Sequence, residues 1–348
     1  MGMLGNLIAA LALTAPVAGT PVTLEAEPAP TNVTVAWASP THDKVVITWD
    51  ETGDVRNRIE AVNADGSPAN YPQFAEAGQP NRLEVDKFSV AAGESGDVRI
   101  AVTVTGPTSE AISEPGLSPA FDTDMPPAPV LTSVEPLTDG TIKVNWTPGQ
   151  VRADVNPGDP LDVPAVQPPL FVPVELFTDP RELSEPSTAT SFVFGGPASA
   201  ITAVGVHTVN EWTVNGYLGW RATASYGDVA GTRVTATIPR TSPAGKKLTI
   251  TGKAIMIRSF CDSGLRCQTY EYDDAGRSLR LEYRTGAGAA WRTVATTKAG
   301  ADGKYTVSTT FPGIGEYRVV APVVIGNGDK LAQAPFTTAA TRVRPGAL

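Results

Sequence analysis

The sequence predicts an all-β protein built as three tandem β-sandwiches. Three observations carry this. Apolar and polar residues alternate over strand-length runs along the whole chain. No long segment repeats apolar residues at helical spacing. The 33 Gly and 31 Pro supply the turns that many short strands need. One ribbon sets the pattern: in Lys44-Val45-Val46-Ile47-Thr48-Trp49-Asp50, the residues Val45, Ile47 and Trp49 point one way and the others point back. Residues 141–147 alternate likewise and end on Trp146 and a polar residue. Pro28-Ala29-Pro30 leads into the first copy and Pro127-Ala128-Pro129 into the second. The two Pro leads stand 99 residues apart and the two Trp 97 apart. Two landmarks at nearly one spacing predict a duplicated domain of roughly a hundred residues.

Length and charge narrow the possibilities. The 348 residues suit two or three domains. Lys and Arg number 27 against 36 Asp and Glu, a net charge of −9, with no basic run. Nucleic acid is excluded as a partner, because phosphate neutralisation needs clustered cations. The acidity suits an extracellular chain that must stay soluble. At the N-terminus, residues 7–13 form an apolar run followed by small residues at Ala15, Ala18 and Gly19. This resembles a secretory signal, although no Lys or Arg precedes it, and a mobile tail is the other reading. The run falls short of the roughly 20 residues a bilayer requires, and no second apolar span follows. Residues 1–27 are therefore assigned as a signal-like segment and linker, and the protein as secreted or on the cell surface, with no membrane span in the mature chain.

The first repeat is assigned to residues 28–124. Strands are expected at 32–37, 44–49, 55–62, 82–88 and 98–105, with a closing stretch at 116–121. The run at 98–105 places Val98, Ile100, Val102 and Val104 on one face. The Pro-rich entry at Pro28 and Pro30, Trp49 closing the second strand, and the stretch 99–121 with its Ser-rich loop together resemble a fibronectin type III domain. That resemblance implies a two-sheet sandwich. It departs from the family at the sixth strand, where Ile100 or Val102 stands in place of a Tyr. No Arg-Gly-Asp is present near the last two strands, so integrin-type binding is not implied.

The second repeat is assigned to residues 125–239. It starts like the first and then diverges, as a divergent fibronectin type III domain or a related sandwich. Its insertion, 150–173, carries Pro157, Pro160, Pro164, Pro168, Pro169 and Pro173. Pro removes a ladder donor and fixes φ, so a long semi-rigid loop is expected there, with a strand starting after it at 174–177. Later strands are expected at 191–194, 200–209 and 233–238. The segment 240–348 is assigned as a third sandwich. Strands are expected from 248, at 278–284 with Leu279, Leu281 and Tyr283 inward, at 291–296, at 304–308 after an Asp302-Gly303 turn, and at 316–320. The motifs Leu281-Glu282-Tyr283-Arg284, Trp291-Arg292-Thr293-Val294, 301–305 and Tyr317-Arg318-Val319-Val320 resemble bacterial Ig-like repeats. The whole is similar to secreted surface proteins of high-GC bacteria.

Few residues offer chemistry. Cys261 and Cys267 are the only cysteines. An even count in a secreted chain favours a disulfide, and a two-Cys metal site lacks neighbouring ligands. His42 is expected in a solvated turn and His207 at a surface or edge position. Asp273-Asp274-Ala275-Gly276 reads as a turn rather than a cation loop. Asn32-Val33-Thr34 and Asn145-Trp146-Thr147 match the glycan acceptor pattern but fall in expected strands. No nucleophile elbow, zinc-protease helix or phosphate loop is present, so no catalytic, cofactor or metal residue is assigned. Trp212, Tyr217, Trp220 and Tyr226 form the densest aromatic set. They either fill a core or stack on a sugar face or anchor a protein contact.

The resulting expectation is a non-enzymatic structural or adhesive protein, a rod of three sandwiches acting through protein contacts or self-assembly as a matrix or filament subunit. The Pro-rich loop, with Pro164, Pro168 and Pro169, is its expected docking arm. The alternative is a carbohydrate-binding module using the aromatics of the second domain. Partners are a protein, a second copy or a cell-surface polysaccharide, and no cofactor is expected.

Overall fold

The computed structural model describes residues 26–91, 97–151, 153–176, 180–195, 203–213, 224–261, 267–327 and 330–346. Apart from one 3-10 turn at Lys87–Ser89, every regular element among them is a strand.

The first sandwich holds β1 (Thr31–Trp37), β2 (Lys44–Asp50), β3 (Arg56–Asn63), β4 (Gln73–Ala75), β5 (Arg82–Asp86), β6 (Val98–Thr105) and β7 (Gly116–Leu117). They form two sheets, in the orders β1-β2-β5 and β4-β3-β6-β7. Between them lie Val45, Ile47 and Trp49 of β2, facing Ile59, Ile100 and Val102. The alternation along β2 thus produces the inner face it predicts. Ile100 and Val102 are both fully buried, so the sixth-strand core contact is aliphatic.

The second sandwich holds β8 (Val130–Pro136), β9 (Ile142–Thr147), β10 (Leu170–Leu176), β11 (Pro180–Glu182), β12 (Ser191–Phe194), β13 (Ala203–Val209) and β14 (Ala224–Thr237). Its sheets run β12-β9-β8 and β11-β10-β13-β14. Ile142, Val144 and Trp146, with Phe194 beside them on β12, face Phe171, Val204 and Val206. The two equivalent tryptophans differ in one respect. Trp49 Nε1 donates to Glu51 Oε2 at 3.2 Å, whereas Trp146 Nε1 is buried with no partner among the described residues.

β10 begins earlier than the Pro content predicts and takes in Pro173, opposite Val206. The missing donor is tolerated because Pro173 turns its backbone toward the irregular stretch after β11. There its carbonyl accepts from Leu183 N at 3.0 Å.

The third unit holds β15 (Thr241–Ser242), β16 (Lys247–Cys261), β17 (Cys267–Asp273), β18 (Ser278–Arg284), β19 (Arg292–Lys298), β20 (Lys304–Thr310), β21 (Gly315–Ala321), β22 (Ala332–Gln333), β23 (Phe336–Thr337) and β24 (Thr341–Pro345). One sheet runs β15-β24-β21-β18-β19, with β23 beside β21. Facing it, β16 pairs with β20, β17 and β14. Leu279, Leu281 and Tyr283 meet Leu248, Ile250 and Val307 in the core between these sheets.

The second and third units are not separate beads. The division expected at 239/240 falls after a strand they share. β14 pairs with β13 through residues 224–228 and with β16 through residues 231–237. Val229 packs into the second core and Val234 into the third. Odd and even positions of a strand face opposite sides, so one strand gives one face to each core. Around the changeover Val229, Ala230, Gly231 and Thr232 are all buried. A return segment strengthens the join. Ala332 of β22 pairs parallel to β14 and sits in the second core, and Gly326 exchanges backbone hydrogen bonds with Val134 of β8.

Candidate functional site

The junction between the first and second sandwiches gathers much of the chemistry. Trp212 is fully buried, and the core it enters is that of the first sandwich. Its ring meets Trp37 edge to face, with centroids 5.0 Å apart at 61°. Leu161, from the Pro-rich stretch, enters the same core, and its carbonyl accepts from Trp37 Nε1 at 2.9 Å. The proposed docking arm is therefore corrected over residues 156–161. That part is engaged by the chain's own first domain. Asn156 N donates to Asp122 Oδ2 at 2.8 Å, Asn156 Nδ2 to the Ala120 carbonyl at 3.0 Å, and Asp122 N to Asp159 Oδ2 at 2.7 Å. Asp159 also caps its own turn, accepting from Leu161 N at 2.6 Å. Of the three prolines assigned to the arm, Pro164 and Pro168 are exposed and Pro169 is half-buried.

The junction is strongly acidic. Asp122, Asp124 and Asp154 each bring a carboxylate oxygen within 4.8 Å of the others. A hard cation such as Ca2+ takes six to eight oxygens, so these three alone fall well short of a complete shell. The Asp122 and Asp124 carboxylates repel each other while both are ionised, their oxygens lying within 4.8 Å. Burial, with Asp122 next, pushes Asp124 up to about 7. Burial likewise pushes Glu211 up to about 7, with Asp124 adding to the rise and Lys87 opposing it. Lys87 is itself buried and donates Nζ to the Glu211 carbonyl at 2.8 Å; burial lowers its own affinity for the proton.

The other aromatics of the expected set part company with Trp212. Tyr226 is half-buried beside Val172 and Val174, its ring against Gly205 directly opposite, where an added Cβ would come within 2.4 Å of it. Tyr217 and Trp220 lie outside the described residues. Trp212 is thus unavailable to a sugar face.

His207 is a correction. It is fully buried on β13, an interior strand, with Nε2 3.4 Å from Glu182 Oε1. An isolated His in an alternating run carries no sign of which face it takes. His42 is half-buried rather than solvated, packed edge-on against Trp37 at 5.0 Å, with a left-handed φ of 53°. Asn145 is half-buried and donates to Ser133 Oγ at 2.7 Å, while Asn32 is exposed and donates to Asp50 Oδ2 at 2.7 Å. Asp274 is buried at its turn and closes against Arg277, which also donates to the carbonyls of Pro322 and Ala334 at 2.7 and 3.0 Å. That pair pins the return segment.

A second surface was not read from the sequence. Pairing of β16 with β14 ends at Ile257, and beyond it β16 and β17 continue as a ribbon that is two-stranded among the described residues. Met256 opposes Tyr272, Arg258 opposes Tyr270 and Phe260 opposes Gln268, so all six share one face. Phe260, Tyr270 and Tyr272 are 45%, 44% and 41% exposed. The Phe260 and Tyr270 rings meet at 5.7 Å, and the Arg258 guanidinium lies 5.2 Å over Phe260. The alternation of Tyr270 and Tyr272 is visible in sequence, but nothing local marks the face as uncovered. Cys261 and Cys267 are directly opposed in backbone register at the far end of the ribbon.

No protein-family model matches the sequence, and no curated protein matches it. Several solved structures are similar. The chicken CNTN1 FN1–FN3 domains are 9% identical, with 91% of this chain and 99% of that one covered and a TM-score of 0.25. A Ca2+-stabilized adhesin with which an Antarctic bacterium binds ice is 15% identical, covering 91% and 74%, at 0.21. SGBP-B of the Bacteroides ovatus mixed-linkage glucan utilization locus, solved with a heptasaccharide, is 12% identical, covering 95% and 69%, at 0.15. This chain is all-β, three tandem sandwiches of antiparallel sheets, interlocked at both junctions.

Proposed function

We propose that this is a non-enzymatic adhesive protein of the cell surface or extracellular space, and that it works by self-association through the β16–β17 ribbon. One observation carries the reading: three aromatic rings stand side by side, half exposed, on one face of a two-stranded ribbon. Aromatic residues dominate the energetics of protein contacts, and a ribbon of fixed register presents them with little entropy to lose. The interlocked sandwiches support it, because shared core residues at one junction and a shared strand at the other hold the ribbon in place. The apolar run at residues 7–13 supports export, and the resemblance of the third segment to bacterial Ig-like repeats supports a surface protein. In the same reading Cys261 and Cys267 form a disulfide that closes the ribbon. Directly opposed antiparallel positions stand about 4.5–5.5 Å apart at Cα, within the span a disulfide bridges.

The test is sedimentation of the full chain across the micromolar range. Self-association is expected, and replacing Phe260, Tyr270 and Tyr272 together by Ser should leave a monomer with unchanged thermal unfolding. A wild-type chain that stays monomeric, or a triple variant that still associates, rules the reading out.

A further inference from the structure

Six carboxyl groups line the seam between the first and second sandwiches. Asp122 and Asp124 follow β7. Asp154, Asp159 and Asp162 come from the Pro-rich stretch, and Glu211 from the turn after β13. Among the described residues, the cation facing them is Lys87, which in turn sees Asp43 and Asp86 and stands beside His42. The seam is also the place where Leu161 and Trp212 enter the first core, so anything that parts it uncovers both.

We infer that this seam is a proton-gated clamp. It is closed while Asp124 and Glu211 are neutral, and it loosens when these groups ionise against Asp122, Asp154, Asp159 and Asp162. Among the described residues, the groups at the seam are already engaged. Asp122 and Asp159 already accept backbone N–H groups across the seam, and Lys87 offers Nζ to the carbonyl of Glu211. Burial first, and the neighbouring carboxylates next, hold Asp124 and Glu211 at about 7; Asp122 and Asp159 are raised as well, chiefly by burial. A carboxyl raised in the folded state binds more protons folded than unfolded. Its contribution is therefore complete below about pH 4, the ordinary carboxylate range, and is lost as pH rises through about 7. Closure is favoured in mild acid and opposed in mild alkali.

Hydrogen exchange on the full chain tests this. Protection of the Leu161 and Trp212 amides, corrected for intrinsic exchange, is expected to fall about tenfold or more between mildly acidic and mildly alkaline pH, as one displaced pKa unit requires. Protection of β18 and β21, in the third core, should not change. Asp124→Asn with Glu211→Gln should flatten the profile and keep the protection seen in acid. Should that pair not fold, Glu211→Gln alone should weaken the pH response. High monovalent salt should restore protection in alkali by screening. A pH-independent wild type, or a double variant as pH-sensitive as wild type, overturns the inference. So does closure in alkali restored by millimolar Ca2+ at constant ionic strength, which would make the cluster a cation site instead.

Discussion

The indole of Trp212 stands edge to face against that of Trp37, 5.0 Å away, although one comes from the second repeat and the other from the first. A residue of one sandwich is completing the core of another. Truncating it should destabilise the first domain, not the second. Trp212→Ala is expected to cost about 3–5 kcal/mol, the usual range for a buried aromatic, and calorimetry should show the loss in the transition that includes Trp49. Loss confined to a different transition would separate Trp212 from that core.

Arg277 acts at the other junction. Its guanidinium is buried, lies 3.7 Å from the buried Asp274 and holds the carbonyls of Pro322 and Ala334. Removing one member of such a pair leaves the other charge uncompensated. Arg277→Met should cost about 3–5 kcal/mol, and adding Asp274→Leu should recover part of it. The urea midpoints of the two variants decide this.

Gly252 sits where β14, β16 and β20 meet. A Cβ there would come within 1.9 Å of the Thr235 carbonyl oxygen and 2.6 Å of the Tyr305 hydroxyl. Gly252→Ala is expected to lower stability by about 1–3 kcal/mol through overpacking, whereas Gly245→Ala, in open space, should cost only its left-handed φ. Thermal melts of the two alanine variants side by side give the comparison.

The cysteine pair makes a chemical prediction. Intact mass of the unreduced chain should be lighter by two hydrogens than after reduction. Cys261→Ser should lower stability by about 2 kcal/mol, the entropy of a short closed loop. An unreduced mass equal to the reduced one shows free thiols.

The architecture was legible because β2 and β9 carry strict two-residue periodicity capped by Trp49 and Trp146, and such periodicity depends on local residues alone. The candidate sites were not. Whether Trp212 faces its own core or a neighbour's is decided by a contact far away in sequence, and an aromatic looks the same either way. Leu161 was hidden in a Pro-rich run whose composition argues for a loop and says nothing of where the loop lies. His207 shows the same limit: its strand was read, its burial was not. Phe260, Tyr270 and Tyr272 went unremarked because exposure depends on where β14 stops pairing.

β14 also limits how the protein can be dissected. A fragment starting at residue 240 leaves β16 without its neighbour over residues 251–257 and deprives the third core of Val234. A fragment ending just before residue 231 abandons the same strand from the other side, and one ending at 239 leaves residues 231–237 as a bare edge ready to recruit any passing strand. The last two sandwiches stand or fall as a single piece.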